Sequence, residues 1–249
     1  MKKLILFTLF LTAGFSLIAQ ETATEKKKKK DWSKVDLGGR PKDHLIFQIG
    51  YLQWMQKPDS IATKGLARTV NAYFSFDFPF KTDPRFSVGL GAGVGADNMY
   101  FDKDAGRNLN IINSNEFTFA KHAGRDTLNR YKSMKLATIY LEAPVELRFM
   151  IDPTKPNKSL KFALGEKVGT IISANDKTRF TTDANGNTAY VLKEKDKKHF
   201  NNLRLAATAR IGMGNFGLFA QYQINDMIKE GQGPSQIRPL TFGITLTGL

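Results

Sequence analysis

"RFSVGLGAGVGA", residues 85–96, admits two readings, and the choice between them decides the fold. Gly91, Gly93 and Ala96 fit the dinucleotide-binding pattern G-x-G-x-x-[G/A], and Glu116 follows about twenty residues later, where a ribose-binding acid would sit. A phosphate loop needs a helix to open directly after its glycines, because the helix N-terminus holds the anion. The continuation "DNMYFDKDAGRN", residues 97–108, has no apolar period of 3.6. The other reading is a strand. Phe86, Val88, Leu90, Ala92, Val94 and Ala96 share one parity, and Ser87, Gly89, Gly91, Gly93 and Gly95 share the other. One face is apolar and the other has almost no side chains.

The same alternation recurs on either side. In residues 66–80, Val70, Ala72, Phe74, Phe76 and Phe78 alternate with Thr69, Asn71, Tyr73, Ser75 and Asp77. In residues 136–149, Ile139, Leu141, Ala143, Val145, Leu147 and Phe149 alternate with Thr138, Tyr140, Glu142, Pro144, Glu146 and Arg148. Residues 202–213, 216–224 and 238–246 repeat it, and 44–56 and 159–174 do so less cleanly. Eight segments of roughly ten residues result, the length a tilted strand needs to cross a bilayer. A soluble sandwich also alternates, so alternation alone does not decide between the two.

The connections discriminate. The gaps after the second, fourth and sixth segments are "KTDP", "DPTKPNK" and "GN", short and rich in turn residues. Those after the first, third, fifth and seventh are longer, two of them very long, at 103–134 and 175–201. An antiparallel barrel with both termini on one side sorts its connections in this way, with short periplasmic turns and long extracellular loops. The expectation is an all-β, eight-stranded antiparallel transmembrane β-barrel over residues 44–249. Phe78, Phe80, Phe86, Phe149, Phe162 and Phe216 fall near the short-turn ends and form a periplasmic-side girdle. Tyr51, Trp54 and Tyr222 fall towards the long-loop ends.

The N-terminus agrees with export. Lys2 and Lys3 precede an apolar run, and Ala19 offers a cleavage point, so residues 1–19 read as a signal peptide. No Cys follows that would mark a lipoprotein, and the chain has none anywhere, which excludes disulfides and Cys-based metal sites. Residues 20–43 include the run Lys26–Lys30 and read as a basic, solvated periplasmic segment. A formal charge of +14 suits nucleic acid in a cytosolic protein. In an exported one it points to outer-membrane lipid and lipopolysaccharide, or to other envelope proteins, and not to nucleic acid.

"YLEAPVELRF" (140–149), "GEKVGTIIS" (165–173) and "RFSVGLGAGV" (85–94) resemble the corresponding strands of the PorT-like family of small outer-membrane barrels common in Bacteroidota. The resemblance covers most of residues 44–249 and implies the same eight-stranded barrel. It also raises a role in a protein secretion apparatus as an alternative to a structural or interaction role. Glu166 departs from the family pattern, which has an apolar residue or Pro at this place on the lipid face. The final residue, Leu249, stands where an aromatic commonly closes such chains.

An eight-stranded barrel is just wide enough to be filled by side chains. The glycines of residues 89–95 then leave room for Tyr73, Tyr140 and Phe219. Asp77, Glu142, Glu146, Arg148, Lys161, Lys167, Arg204 and Arg210 all have inward parity and are expected to pair as a structural network that closes the lumen. The expected pairs run from Glu142, Glu146 and Arg148 to Lys161 and Lys167, with Arg204 and Arg210 on the next strand.

A third reading, a lipid-modifying enzyme, would need a His beside a Ser and a carboxylate. His44, His122 and His199 have no such neighbour in sequence, and the two in long loops are expected to be exposed to solvent. No catalytic, cofactor or metal residues are assigned, and the protein is expected to be a monomer without enzymatic activity. In 177–194, Asn185-Gly186 signals a type I′ hairpin that continues the fifth and sixth strands beyond the membrane.

Overall fold

The structure, a computed structural model, describes residues 45–59, 61–64, 66–101, 107–110, 118–121, 130–181, 188–234 and 236–248. The signal-peptide and basic-segment expectations for 1–43, and those for His44 and His122, lie outside the described residues. Eleven strands are present among these: β1 (Leu45–Met55), β2 (Arg68–Pro79), β3 (Phe86–Phe101), β4 (Arg107–Asn110), β5 (Thr118–Lys121), β6 (Arg130–Met150), β7 (Leu160–Thr181), β8 (Thr188–Lys195), β9 (Leu203–Met213), β10 (Phe216–Gln223) and β11 (Arg238–Thr247). No described helix is long and apolar enough to cross a membrane, and the crossing segments are strands.

Eight strands close on themselves. Antiparallel pairing runs β6-β3-β2-β1-β11-β10-β9-β7, and β7 pairs back onto β6. Closure leaves no open sheet edge in the ring, which a hydrocarbon surrounding demands. These eight are the segments marked by alternation. The tight turns also fall where expected: Met213 pairs with Phe216 across Gly214-Asn215, and Gly214 takes φ +61°, where glycine has no steric penalty.

The outside of the barrel is apolar. Ile49, Leu141, Leu164, Leu218 and Ile244 are all more than half exposed, while Glu142, Lys167 and Arg204 inside are at most 2% exposed. A soluble sandwich would reverse this distribution. The periplasmic girdle forms a ring-to-ring row, with Phe86 to Phe149 at 4.8 Å between centroids and Phe149 to Phe162 at 6.4 Å. On the other rim Tyr51 lies 5.5 Å from Phe242.

Two elements lie outside the closed ring. The far ends of β6 and β7 run beyond the apolar band, and β8 pairs with β7 over 175–181 to make a three-stranded extension. The predicted hairpin is therefore built from β7 and β8. It does not join the fifth and sixth barrel strands, because β8 ends at Lys195 and β9 begins at Leu203. β4 and β5 form a separate two-stranded sheet in a loop that the sequence left without an assignment.

The extracellular end of the barrel has an apolar core. Leu52, Trp54, Ile61, Phe101, Leu136, Ile171, Phe200, Ile228 and Ile237 form one buried cluster. Two loop segments supply part of it and are tied together by the Phe200–Ile228 bridge and by Lys229 N–H donating to the His199 carbonyl at 2.9 Å. Trp54, towards a long-loop end as expected, is 2% exposed and packs edge-on against Phe101 at 5.5 Å, so it is a core residue. One expectation is corrected. His199 is 1% exposed, not solvated, with Nδ1 3.3 Å from Gln232 Oε1. In both cases the loops fold inward over the barrel mouth and bury side chains that the sequence places at or beyond a strand end.

Candidate functional site

Below that apolar core the lumen is filled by two charge networks. The lower centres on Glu146 of β6. Arg210 of β9 reaches it twice, Nε to Oε1 at 3.0 Å and Nη2 to Oε2 at 2.5 Å. Arg148 donates from Nε to Glu146 Oε2 at 3.1 Å, from Nη2 to Ser75 Oγ at 2.7 Å, and lies 3.4 Å from Asp77 Oδ1. Ser87 Oγ donates to the same Asp77 oxygen at 2.6 Å.

The upper network centres on Glu142. Lys167 Nζ donates to its Oε2 at 2.9 Å, and Tyr73 Oη donates to the same oxygen at 2.5 Å. Lys167 also donates to Tyr73 Oη at 2.7 Å. Arg204 lies 3.2 Å from Glu142 Oε1 and 3.0 Å from Asp97 Oδ2, and its guanidinium sits 4.4 Å over the Tyr140 ring. Thr69 Oγ1 donates to Asp97 Oδ1 at 2.6 Å.

Each network contains two carboxylates and two cations, so each is neutral as a unit. Neutrality is the condition for holding charge in a poorly hydrated interior, since an unpaired buried ion is far costlier than a paired one. The arrangement also explains the glycine run. A Cβ on Gly95 would come 2.7 Å from Glu142 Oε2, and one on Gly93 would come 2.7 Å from Tyr73 Cδ1. Phe219, assigned to the same run in the sequence, packs instead over Gly50 of β1, where a Cβ would meet its Cζ at 2.9 Å.

Of the eight predicted lumen residues, seven join these networks: Asp77, Glu146, Arg148 and Arg210 below, and Glu142, Lys167 and Arg204 above. Lys161 lies at the periplasmic mouth, where it lines a cavity of about 40 Å³ with Asp77, Arg148 and Arg210. The expected pairing is only partly realised. Glu142 meets Lys167 and Arg204, but Glu146 meets Arg148 on its own strand and Arg210 on β9. Asp97 was missed. It lies on the glycine parity, one step beyond Gly95, and extending the alternation by a single residue would have found it.

Besides the mouth cavity, a void of about 10 Å³ lies between Gln48, Tyr73, Glu146 and Lys167, room for about one water. Glu166, in contrast, points outward. It sits mid-height on the lipid face, between Leu164 and Val168 along β7, opposite Val145 on β6 and Ala207 on β9, and makes no ion pair among the described residues.

Inverted polarity, a closed ring of eight tilted strands and a filled lumen define an integral outer-membrane β-barrel protein. The sequence pattern of the outer membrane protein beta-barrel domain family matches residues 44–225, and the chain belongs to that family. A comparison with curated protein sequences gives no match. Among solved structures, the chain is similar to Ail, the attachment invasion locus protein of Yersinia pestis, at 14% identity and a TM-score of 0.32, covering 82% of this chain and 97% of that one.

Proposed function

We propose that this protein is a closed, non-conducting and non-enzymatic barrel of the PorT-like kind, exported by a signal peptide at residues 1–19. It acts as a monomeric membrane anchor for its extracellular β-extension, which serves as an interaction module for envelope lipid or envelope proteins. The observation that carries this reading is the lumen, where two neutral ion networks are stacked beneath an apolar core. Loops on rigid scaffolds are where recognition is built, and here the scaffold extends its own strands β6 and β7 into the loop region.

Planar-bilayer recording of the refolded protein tests the closed state. The expected result is no conductance above the lipid baseline. Stable single-channel steps in the wild type would overturn it. Protease cleavage at Asn185 on intact cells, with protection at Asp83, tests the orientation separately.

A further inference from the structure

The outward face of the β-extension carries a row of cations in register. Tyr100 of β3 pairs with Lys135 of β6, Lys135 with Lys177 of β7, and Lys177 with Lys193 of β8. Directly opposite residues hold their Cβ atoms about 4.5–5.5 Å apart, and like charges so placed destabilise a sheet. Arg179 stands one step above Lys177 on the same face, and Lys195 stands beside Asn175 one step below. Lys135 donates to Asn98 Oδ1 at 3.1 Å and lies 5.9 Å from the Tyr100 ring centroid. None of these five cations pairs with a carboxylate among the described residues. Of the nearest acids in sequence, Asp176 and Glu194 are cross-strand partners on the opposite face, and Asp196 pairs with Lys198. A repulsive row left uncompensated among the described residues calls for an anion from outside.

The row is also built as a site. Tyr100, Ser133, Lys135, Lys177 and Arg179 line a polar cleft of about 140 Å³. That volume accommodates a phosphate group, and the lining offers a fork-shaped guanidinium, two ammonium groups and hydroxyl donors. Its height completes the argument. On the same outward face of β6, Ile139 and Leu141 belong to the apolar band, and Lys135 precedes Ile139 by four residues, towards the extracellular end. At about 3.3 Å per residue and a tilt near 40°, that is roughly 10 Å above Ile139. This is headgroup depth in the outer leaflet.

We propose that the Lys135–Lys177–Arg179 cleft binds a phosphate monoester on the headgroup of an outer-leaflet glycolipid, with Lys193 and Lys195 widening the field around it. The acyl chains of the same lipid then lie along Ile139, Ile172 and Val168 below. This extends the interaction role proposed above and depends on the extension facing outward, which the Asn185 protease experiment tests by itself.

The test uses the refolded full chain in detergent, with bis-phosphorylated lipid A and its enzymatically dephosphorylated form as probes in native mass spectrometry. The wild type is expected to retain the phosphorylated form at least about tenfold better than the dephosphorylated one, with the difference shrinking as salt rises. K135Q/K177Q/R179Q is expected to abolish the preference, whereas K155Q/K158Q at a periplasmic turn is expected to keep it. Lipid-free stability supplies a second reading. Removing like-charge repulsion should leave K177Q as stable as the wild type or more so, which separates lost binding from lost folding. Equal retention of both lipids by the wild type, or an unchanged preference in the triple variant, would overturn the proposal. So would complete displacement of the lipid by millimolar inorganic phosphate, since the site would then take soluble phosphate.

Discussion

Strand β6 passes through two environments without changing its parity. Along its lower two-thirds the even residues Tyr140, Glu142, Glu146 and Arg148 point in, and the odd residues Ile139, Leu141, Val145 and Leu147 point out. Towards its outer end the even residues Met134 and Leu136 point in, and Lys135 points out. Charge inside and oil outside thus becomes oil inside and charge outside along one continuous strand. Neighbouring β7 keeps step through a register shift opposite Ile139/Tyr140, after which its outward residues change from even to odd. The outer face follows the local solvent, apolar where lipid surrounds it and charged where water does. The inner face takes what is left, ion networks in the narrow barrel and an apolar core beneath the loops.

The sharpest way to break this comparison is to unbalance the charged interior. Glu142→Ala leaves Lys167 and Arg204 without their shared carboxylate, and removing one member of a buried pair costs about 3–5 kcal/mol. Urea titration in liposomes should show that loss while membrane insertion is retained. A silent variant would mean that the lumen is wet.

Arginine scanning along the outside of β6 comes next. Leu141→Arg should cost about 2–4 kcal/mol near the bilayer midplane, whereas Ala137→Arg, four residues towards the extracellular end, should stay within about 0.5 kcal/mol. Equal costs at both positions would place the membrane boundary elsewhere on the strand. Glu166→Leu probes the same boundary in the other direction. Replacing a lone carboxylate within the apolar band should raise stability by up to about 2 kcal/mol, read as a higher urea midpoint.

The smallest effect concerns the extension. Asp176 is beyond the apolar band, on its inward face beside Leu136, and burial pushes its carboxyl up to about 7. The hydrogen bond from Thr178 pulls it down, and Glu194 across the strand adds to the rise. A raised carboxyl stabilises the fold when protonated. Its contribution is complete below the usual value near 3.8 and is lost as pH climbs through about 7. Amide exchange over residues 175–181 should therefore be slower at pH 5 than at pH 8 after correction for intrinsic rates. Asp176→Asn should remove the difference.

Much of this was readable because a period of two is a local property. The faces of Leu141 and Glu142 are settled by their being neighbours in an extended chain, and the glycine parity of residues 89–95 identifies an inner wall before anything is known of its partners. The lengths "KTDP" and "GN" orient the barrel for the same reason, since a short turn leaves the chain no freedom. Residues that act across the barrel were harder. That Glu146 meets Arg210 of β9 depends on strand stagger around the closed ring, a quantity that no single strand carries. Asp97 was within reach of the alternation. Trp54 and His199 were not, because their burial depends on loops folding back over them.

The sequence by itself therefore determined the number of barrel strands, their direction and which side of each meets lipid, because alternation and turn length act within a few residues. Only the tertiary structure decided which carboxylate holds which cation, that loops 197–202 and 225–237 help seal the mouth, and that Lys135, Lys177 and Lys193 stand side by side. Those contacts join residues far apart in the chain, and closure and register alone bring them together.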